Sequence, residues 1–329
     1  MATGPRSPEK IAGSDFRQPK AGPEGSAQDR PEPPPPGDFG PIYIGRFAPS
    51  PTGSLHLGSL LAAVGSFLDA RSRGGRWLVR IEDLDPARVV AGCADEMLRT
   101  LEAFGLLWDG EVKYQSRRTH LYGEALESLR VAGHTFECSC SRRELSGEDS
   151  GYPGTCRGGP RRSGDSAIRF RVDETETVAF EDRFQGEIAL AMGKLGDVIV
   201  RRRDGVFAYQ LAVVVDDALQ GITDVVRGAD LLESTGWQIA LQRALRLQTP
   251  RYAHLPLLLE RAGDKLSKSR RSPALEPGRA GVALLSILRL LGLSAPAQLE
   301  GATAGTLLEW ATASWRERPL PLAREWILP

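Results

Sequence analysis

The chain has 329 residues, enough to bury a large core and to hold about two domains. Apolar residues make up 41%, and no run approaches the roughly 18 apolar residues of a membrane-spanning helix, so a soluble protein is expected. Basic and acidic residues balance at 42 each, which excludes any argument from net charge; only six of the basic residues are lysine, and two of those, Lys265 and Lys268, stand three apart.

Residues 1–40 are rich in Pro, Gly and Ser and end in PEPPPPGDFG, a composition that predicts a disordered tail with a polyproline stretch. They lack the apolar segment of a secretory signal. They also carry Glu9, Asp15, Glu24, Asp29 and Glu32, whereas transit peptides are poor in acids. The expected compartment is the cytoplasm.

From residue 41 strand and helix alternate. Tyr43 to Phe47 reads as a strand and Leu57 to Arg73 as a helix, with Leu60, Leu61, Val64, Phe67 and Leu68 at three- and four-residue spacing. Arg76 to Ile81 is the next strand, and Asp95 to Phe104 and Thr119 to Ala132 are helices. Short βαβ connections predict an α/β fold with a doubly wound, parallel, Rossmann-like sheet. Residues 137–166 then lose apolar periodicity. Strand-like runs return at Ala167 to Val172, Asp197 to Arg202, Phe207 to Asp217 and His254 to Leu259, with a helix over Trp237 to Leu247. Helices are expected at Val282 to Leu291 and Thr306 to Trp315. The implied organisation is tail 1–40, a first catalytic half at 41–136, an inserted module at 137–200, a second half at 201–275 and a helical region at 276–329.

The stretch RFAPSPTGSLHLGS (46–59) breaks a strand with two prolines and a glycine, then restarts as a helix at His56 and Gly58. Such a break, at the carboxyl end of a parallel strand and the N-terminus of a helix, is how α/β proteins hold phosphates. A Pro-Gly turn with a histidine that merely caps the helix fits this stretch equally well. Some 210 residues later GDKLSKSRRS (263–272) places Lys265 and Lys268 around a serine. Paired lysines in a loop neutralise charge that grows during phosphoryl chemistry.

Together HLGS (56–59) and KLSKS (265–269) resemble the two signature motifs of class I aminoacyl-tRNA synthetases. With LVRIEDLDPAR (78–88), GVFAYQLAVVVDD (205–217) and VVRGADLLEST (225–235), the chain is similar to the glutamyl-tRNA synthetase group from about residue 42 to 270. Ser59 stands where many class I enzymes have a second histidine; its hydroxyl also donates to phosphate. Only 60 residues follow Ser269, too few for an anticodon-binding region. This short form resembles the glutamyl-queuosine tRNA(Asp) synthetase family, which activates L-glutamate with ATP and transfers it to the queuosine base of tRNA(Asp).

The resemblance implies catalytic roles for His56 and Lys268, and ATP binding by His56, Gly58, Ser59, Lys265 and Lys268, with Mg accompanying ATP. For glutamate it implies Arg46, Phe47, Ala48, Pro49 and Ser50 together with Glu82, Tyr209 and Arg227. Arginine at a strand end grips a carboxylate bidentately, and Glu82 is placed to pair with the ammonium. A structural Arg46–Glu82 ion pair and a core-filling Tyr209 are the plainer readings of the same residues.

Three of the four cysteines cluster at Cys138, Cys140 and Cys156. In a cytoplasmic chain a disulfide is not expected, and three thiolates want a fourth ligand for one tetrahedral, structural zinc. No histidine lies between them; Glu148, Asp149, Tyr152 and water are the candidates, and the resemblance favours Tyr152. The nearby arginines 142, 143, 157, 161 and 162 suit a phosphate backbone. The expected partners are ATP, L-glutamate and tRNA(Asp) bearing queuosine, with no membrane, for a monomer. A truncated glutamyl-tRNA synthetase acting on the acceptor end, and a silent RNA-binding paralogue, are the alternatives; the intact lysine loop, Arg46 and Glu82 speak against silence.

Overall fold

A computed structural model describes residues 42–141, 143–145, 151–259, 275–315 and 325–327. The expected disordered tail, the lysine loop with Lys265 and Lys268, and Glu148 and Asp149 lie outside the described residues.

In chain order the elements are β1 (Ile44–Phe47), α1 (Leu57–Arg71), β2 (Arg76–Ile81), α2 (Cys93–Ala103), β3 (Lys113–Tyr114), α3 (Thr119–Val131) and β4 (Thr135–Cys138). Then come β5 (Ala167–Phe170), β6 (Thr177–Asp182), β7 (Gly186–Ala191), α4 (Met192–Leu195), β8 (Val198–Arg201), α5 (Tyr209–Leu219), β9 (Asp224–Gly228) and α6 (Ser234–Ala244). The chain continues with β10 (Arg251–Leu255), β11 (Leu257–Leu259), α7 (Ala280–Leu290), α8 (Ala304–Trp315) and β12 (Glu325–Ile327), the last paired with β11.

β1, β2 and β3 pair in parallel. β9, β10 and β6 do the same, and β7 closes that edge antiparallel to β6. The two groups meet at β1 and Thr223, just before β9. The Thr223 N–H donates to Ile44 O and its Oγ1 accepts from Ile44 N–H, both at 2.9 Å. The groups, ordered 3-2-1 and 9-10-6-7, lie side by side at β1 and β9, with the chain order running outward on either side, and open α/β sheets carry their ligand crevice at such a point. α1, α7 and α8 build one core with Leu60, Leu68, Leu288 and Leu308; α3, α5 and α6 build the other with Tyr122, Leu129, Val214 and Leu241. The sheet is thus covered on both faces, as its apolar strands demand.

α1 lies close on the sheet because its middle is small. A Cβ on Gly65 would stand 2.6 Å from Leu255 Cδ1. The helix is tied down by Asp69, buried at its inner face, which accepts from Tyr43, from Arg183 and from Trp315 Nε1 of α8.

One expectation fails and one is refined. Phe207 to Asp217, read as a strand, is helical from Tyr209. Leu211 to Asp217 are all buried, and a run apolar on every side has no period to separate helix from strand. His254 to Leu259 is two short strands broken at Pro256, which has no N–H for a ladder. The segment 137–200 divides between two places: β4, β5 and β8 form their own antiparallel sheet, while the β6–β7 hairpin joins the central sheet beside β10.

Candidate active site

The loop after β1 turns into α1 at His56. The ring caps the helix: Nδ1 accepts from the N–H groups of Gly58 (3.1 Å) and Ser59 (3.3 Å). With Nδ1 accepting, a neutral ring carries its proton on Nε2 and offers a donor there. The capping reading and the phosphate reading are therefore compatible. A cleft of about 410 Å³ opens at the carboxyl ends of the central strands. Ser50, His56, Gly58 and Ser59 line one wall, Gly228, Asp230 and Leu255 to Leu258 the other, with Arg88 at the cleft. His56, Gly58 and Ser59 are brought together as expected, and the cleft wall contains β11, which precedes the lysine motif in sequence.

Beside this cleft lies a buried charge cluster. Arg46 is 3% exposed and Arg80 fully buried. Arg46 does not pair with Glu82. Its Nε and Nη2 lie 3.3–3.4 Å from the Asp217 carboxylate. Asp217 also receives Arg80 Nη1 at 2.7 Å, and Arg80 reaches Glu82 at 3.3 Å and Asp216 at 3.8 Å. Asp216 in turn holds Arg118, Gln115 and Tyr122. Burial pushes Asp217 up, but Arg46 and Arg80 outweigh it and hold the carboxyl below its ordinary value. Burial dominates at Glu82 and raises it, with Arg80 and Arg46 opposing. The loop is fixed to this cluster through Pro49 O, which accepts from Glu82 N–H at 2.9 Å. Phe47 turns its ring into the core, stacked on Trp77, while Ser50 faces the cleft.

Arg227, at the end of β9, is different in kind. It is 5% exposed, yet among the described residues it makes no ion pair. Nε donates to His254 Nε2 (3.0 Å), Nη1 to the Tyr209 hydroxyl (3.3 Å), and Nη2 to Thr235 Oγ1 (2.9 Å) and Leu231 O (3.4 Å). The guanidinium also lies 5.3 Å from the centre of the Tyr252 ring. Burial pushes the Tyr209 hydroxyl up, with Arg227 and Arg46 pulling it down and Glu82 pushing it further up, so the charges of Arg227, Arg46 and Glu82 all act on this hydroxyl. A buried cation with only neutral partners is a receptor for an anion.

Sequence reasoning missed Arg80, Asp217, His254, Asp182 and Thr235. The available signal was charge set in or at the end of an apolar run, Arg80 in RWLVRI and Asp216 and Asp217 in LAVVVDD, since such charges are buried only when paired.

In the 137–166 segment, Cys138, Cys140 and Cys156 bring their sulfurs within 4.8 Å of one another. The Tyr152 hydroxyl lies 3.4 Å from Cys138 Sγ and 3.7 Å from Cys140 Sγ, and it accepts from Cys156 N–H at 2.8 Å. The Arg169 guanidinium sits 3.8 Å from the Tyr152 ring centre. Burial would raise the Cys156 thiol, but hydrogen bonds from Tyr152 and from the backbone of Ser139 bring it down to about 6. Tetrahedral zinc, about 2.3 Å from each sulfur, spaces sulfurs about 3.8 Å apart, so this cluster fits a metal with modest contraction. The arginines nearby are only partly available to RNA. Arg157 is held by Asp197 and Glu174, against expectation, because Asp197 is buried and needs a cation. Arg162 pairs with Glu144, and Arg142 lies outside the described residues.

Strand-break loop, capped helix and a cleft at the switch point beside buried arginines define an α/β fold with its ligand crevice at the carboxyl ends of the strands. Comparison with known proteins narrows this. The family model for the catalytic domain of class I tRNA synthetases (E and Q) matches residues 44–154 and 155–312. The chain belongs to this family of ligases. It is 52% identical over 283 residues to the glutamyl-Q tRNA(Asp) synthetase of Ectopseudomonas mendocina (strain ymp), covering 86% of this chain and 96% of the relative. It is 53% identical over 297 residues to that of Dechloromonas aromatica (strain RCB), covering 87% and 98%. Among solved structures it is similar to a glutamate tRNA ligase from Elizabethkingia meningosepticum CCUG26117 in complex with its amino acid, with a TM-score of 0.63 and 27% identity over 70% of this chain. The chain spans about half of that protein, 52%. Among the described residues no helix is long and apolar enough to cross a membrane.

Proposed function

We propose that this chain activates L-glutamate with ATP and transfers it to the queuosine base in the anticodon of tRNA(Asp). The observation that carries the glutamate half is Arg227: a buried guanidinium with neutral partners only, next to Arg46, Glu82 and the cleft behind HLGS. The names of the relatives that match nearly end to end support the queuosine half.

In the first step a glutamate carboxylate oxygen attacks the α-phosphorus of ATP, the bond to the β-phosphate oxygen breaks, and pyrophosphate leaves. A carboxylate is already ionised at neutral pH, so no general base is needed. His56, Gly58 and Ser59 hold the phosphates at the helix N-terminus, Mg accompanies them, and Lys265 and Lys268 neutralise the charge added in the transition state. Arg46 and Arg227 receive the carboxylates, and Glu82 receives the ammonium. Ser50 lines the cleft wall, the backbone from Phe47 to Pro49 carries it there while the Phe47 ring stays in the core, and the Tyr209 hydroxyl supports Arg227. In the second step a hydroxyl of the queuosine cyclopentene-diol attacks the adenylate carbonyl and AMP leaves. Cys138, Cys140, Tyr152 and Cys156 would hold a zinc ion, which would pin the segment that meets tRNA. The enzyme works as a cytoplasmic monomer and needs no tRNA for the first step.

The test is transfer of labelled glutamate to tRNA with and without queuosine, followed by nuclease digestion. The label is expected on the anticodon nucleotide of queuosine-bearing tRNA(Asp) only. Label on the terminal adenosine of tRNA(Glu) would overturn this in favour of a truncated glutamyl-tRNA synthetase.

A further inference from the structure

The two buried arginines of the pocket are held in opposite ways. Arg46 leans on a carboxylate, Asp217. Arg227 leans on an imidazole. His254 is fully buried in β10, and its Nδ1 lies 2.5 Å from Asp182 Oδ2. Asp182 also accepts from the N–H groups of His254, Phe184 and Gln185, so its carboxylate is fixed from several sides. A carboxylate facing Nδ1 places the ring proton there and leaves the Nε2 lone pair pointing at Arg227 Nε–H, 3.0 Å away. Thr235 Oγ1 completes the grip: it accepts from Arg227 Nη2 and lies 3.3 Å from His254 Nε2 and from Leu231 O.

We infer that His254, oriented by Asp182, is a positioning residue that aims the Arg227 guanidinium at the substrate carboxylate without neutralising it. A carboxylate in the place of His254 would hold Arg227 as firmly but would compete with the substrate for its charge. A water in that place would leave the side chain free to turn. The neutral ring does neither. Its partner comes from β6, in the segment between the two halves of the site, and reaches β10 because Asp182 and Tyr252 are register partners. The β6–β7 hairpin therefore supplies the carboxylate that orients His254.

The inference rests on glutamate being the substrate, and the test separates the two. His254→Asn keeps a donor at the Nδ1 position for Asp182 and removes the acceptor for Arg227. His254→Gln places an acceptor near the Nε2 position and gives up the bond to Asp182. With the full chain and L-glutamate as probe, pyrophosphate exchange into ATP is expected to show a KM for glutamate raised at least tenfold in H254N, with KM for ATP and kcat within about threefold of wild type. H254Q is expected to recover most of the loss. Crystals of H254N are expected to show the guanidinium of Arg227 turned away from its present place, a readout that needs no activity. An unmoved Arg227, or equal losses in H254N and H254Q, overturns the positioning role. Exchange driven in wild type by an amino acid other than glutamate overturns the substrate reading, and the position of Arg227 in H254N still decides the inference.

Discussion

Arg80 and Asp217 meet at 2.7 Å across 137 residues of sequence, the guanidinium completely and the carboxylate almost completely sealed from water. The pair links β2 to α5, and through Asp217 it also fixes the buried Arg46. Arg80 also touches Glu82 and Asp216, so one cation balances carboxylates on two elements. Removing it takes the cation from Glu82 and leaves Asp217 only the longer contact with Arg46, so buried negative charge loses most of its compensation. Arg80→Met is therefore expected to cost about 3–5 kcal/mol of stability. Urea unfolding measures this; a change below about 1 kcal/mol would mean water already reaches the cluster.

Stability is expected to fall in mild acid because of His254. Burial, with Arg227 and Arg46 adding to it, lowers the imidazole to about 4 from an ordinary 6.5, against the pull of Asp182. The unfolded chain then binds a proton below about 6.5 that the folded chain refuses until about 4, so stability present above this window is lost as pH falls through it. Asp182 is itself held below its ordinary 3.8, and its contribution is lost only at lower pH. Urea midpoints followed across the window are expected to decline in wild type and to flatten in H254Q. Equal slopes in both would assign the decline to other groups.

Metal analysis of the purified protein is expected to find about one zinc per chain, as a single tetrahedral site requires. Cys140→Ser is expected to lose the metal and to open the 137–166 segment to limited proteolysis, with ATP binding largely kept. Tyr152→Phe removes the oxygen while leaving the ring under Arg169, and is expected to weaken zinc retention against a chelator. A zinc-free wild type with the segment resistant to protease would remove the metal from the account.

Lys268→Ala is expected to slow adenylate formation by more than tenfold with little change in the KM for glutamate, because loss of one transition-state donor costs roughly 3 kcal/mol. Lys265→Ala is expected to do less. Small and equal effects would return KLSKS to an ordinary surface turn.

Glutamate-dependent exchange of pyrophosphate into ATP is expected in the complete absence of tRNA. The pocket arginines already have their protein partners in the chain by itself, so nothing in the described site waits for RNA to order it. Exchange that begins only when tRNA is added would contradict this.

Much of the site was legible in the residues themselves. HLGS marks the strand-to-helix break because prolines and glycines act locally on the backbone, and β1, α1 and β2 follow from short-range periodicity within a few residues of their observed ends. The cysteine cluster, Arg46, Glu82, Tyr209 and Arg227 were named from local patterns and from family resemblance; the fold gathers the three cysteines and sets the Tyr209 hydroxyl against Arg227. What tertiary structure alone decided is which partner each charge finds. The run LAVVVDD is as good a strand as a helix until its neighbours bury it on all sides, and only as a helix does it set Asp216 and Asp217 against Arg118 and Arg80. Asp182 lies 72 residues from His254, and no local signal joins them. Parallel pairing of β6 with β10 does so, because strands distant in sequence bury their apolar faces only by stacking into one sheet.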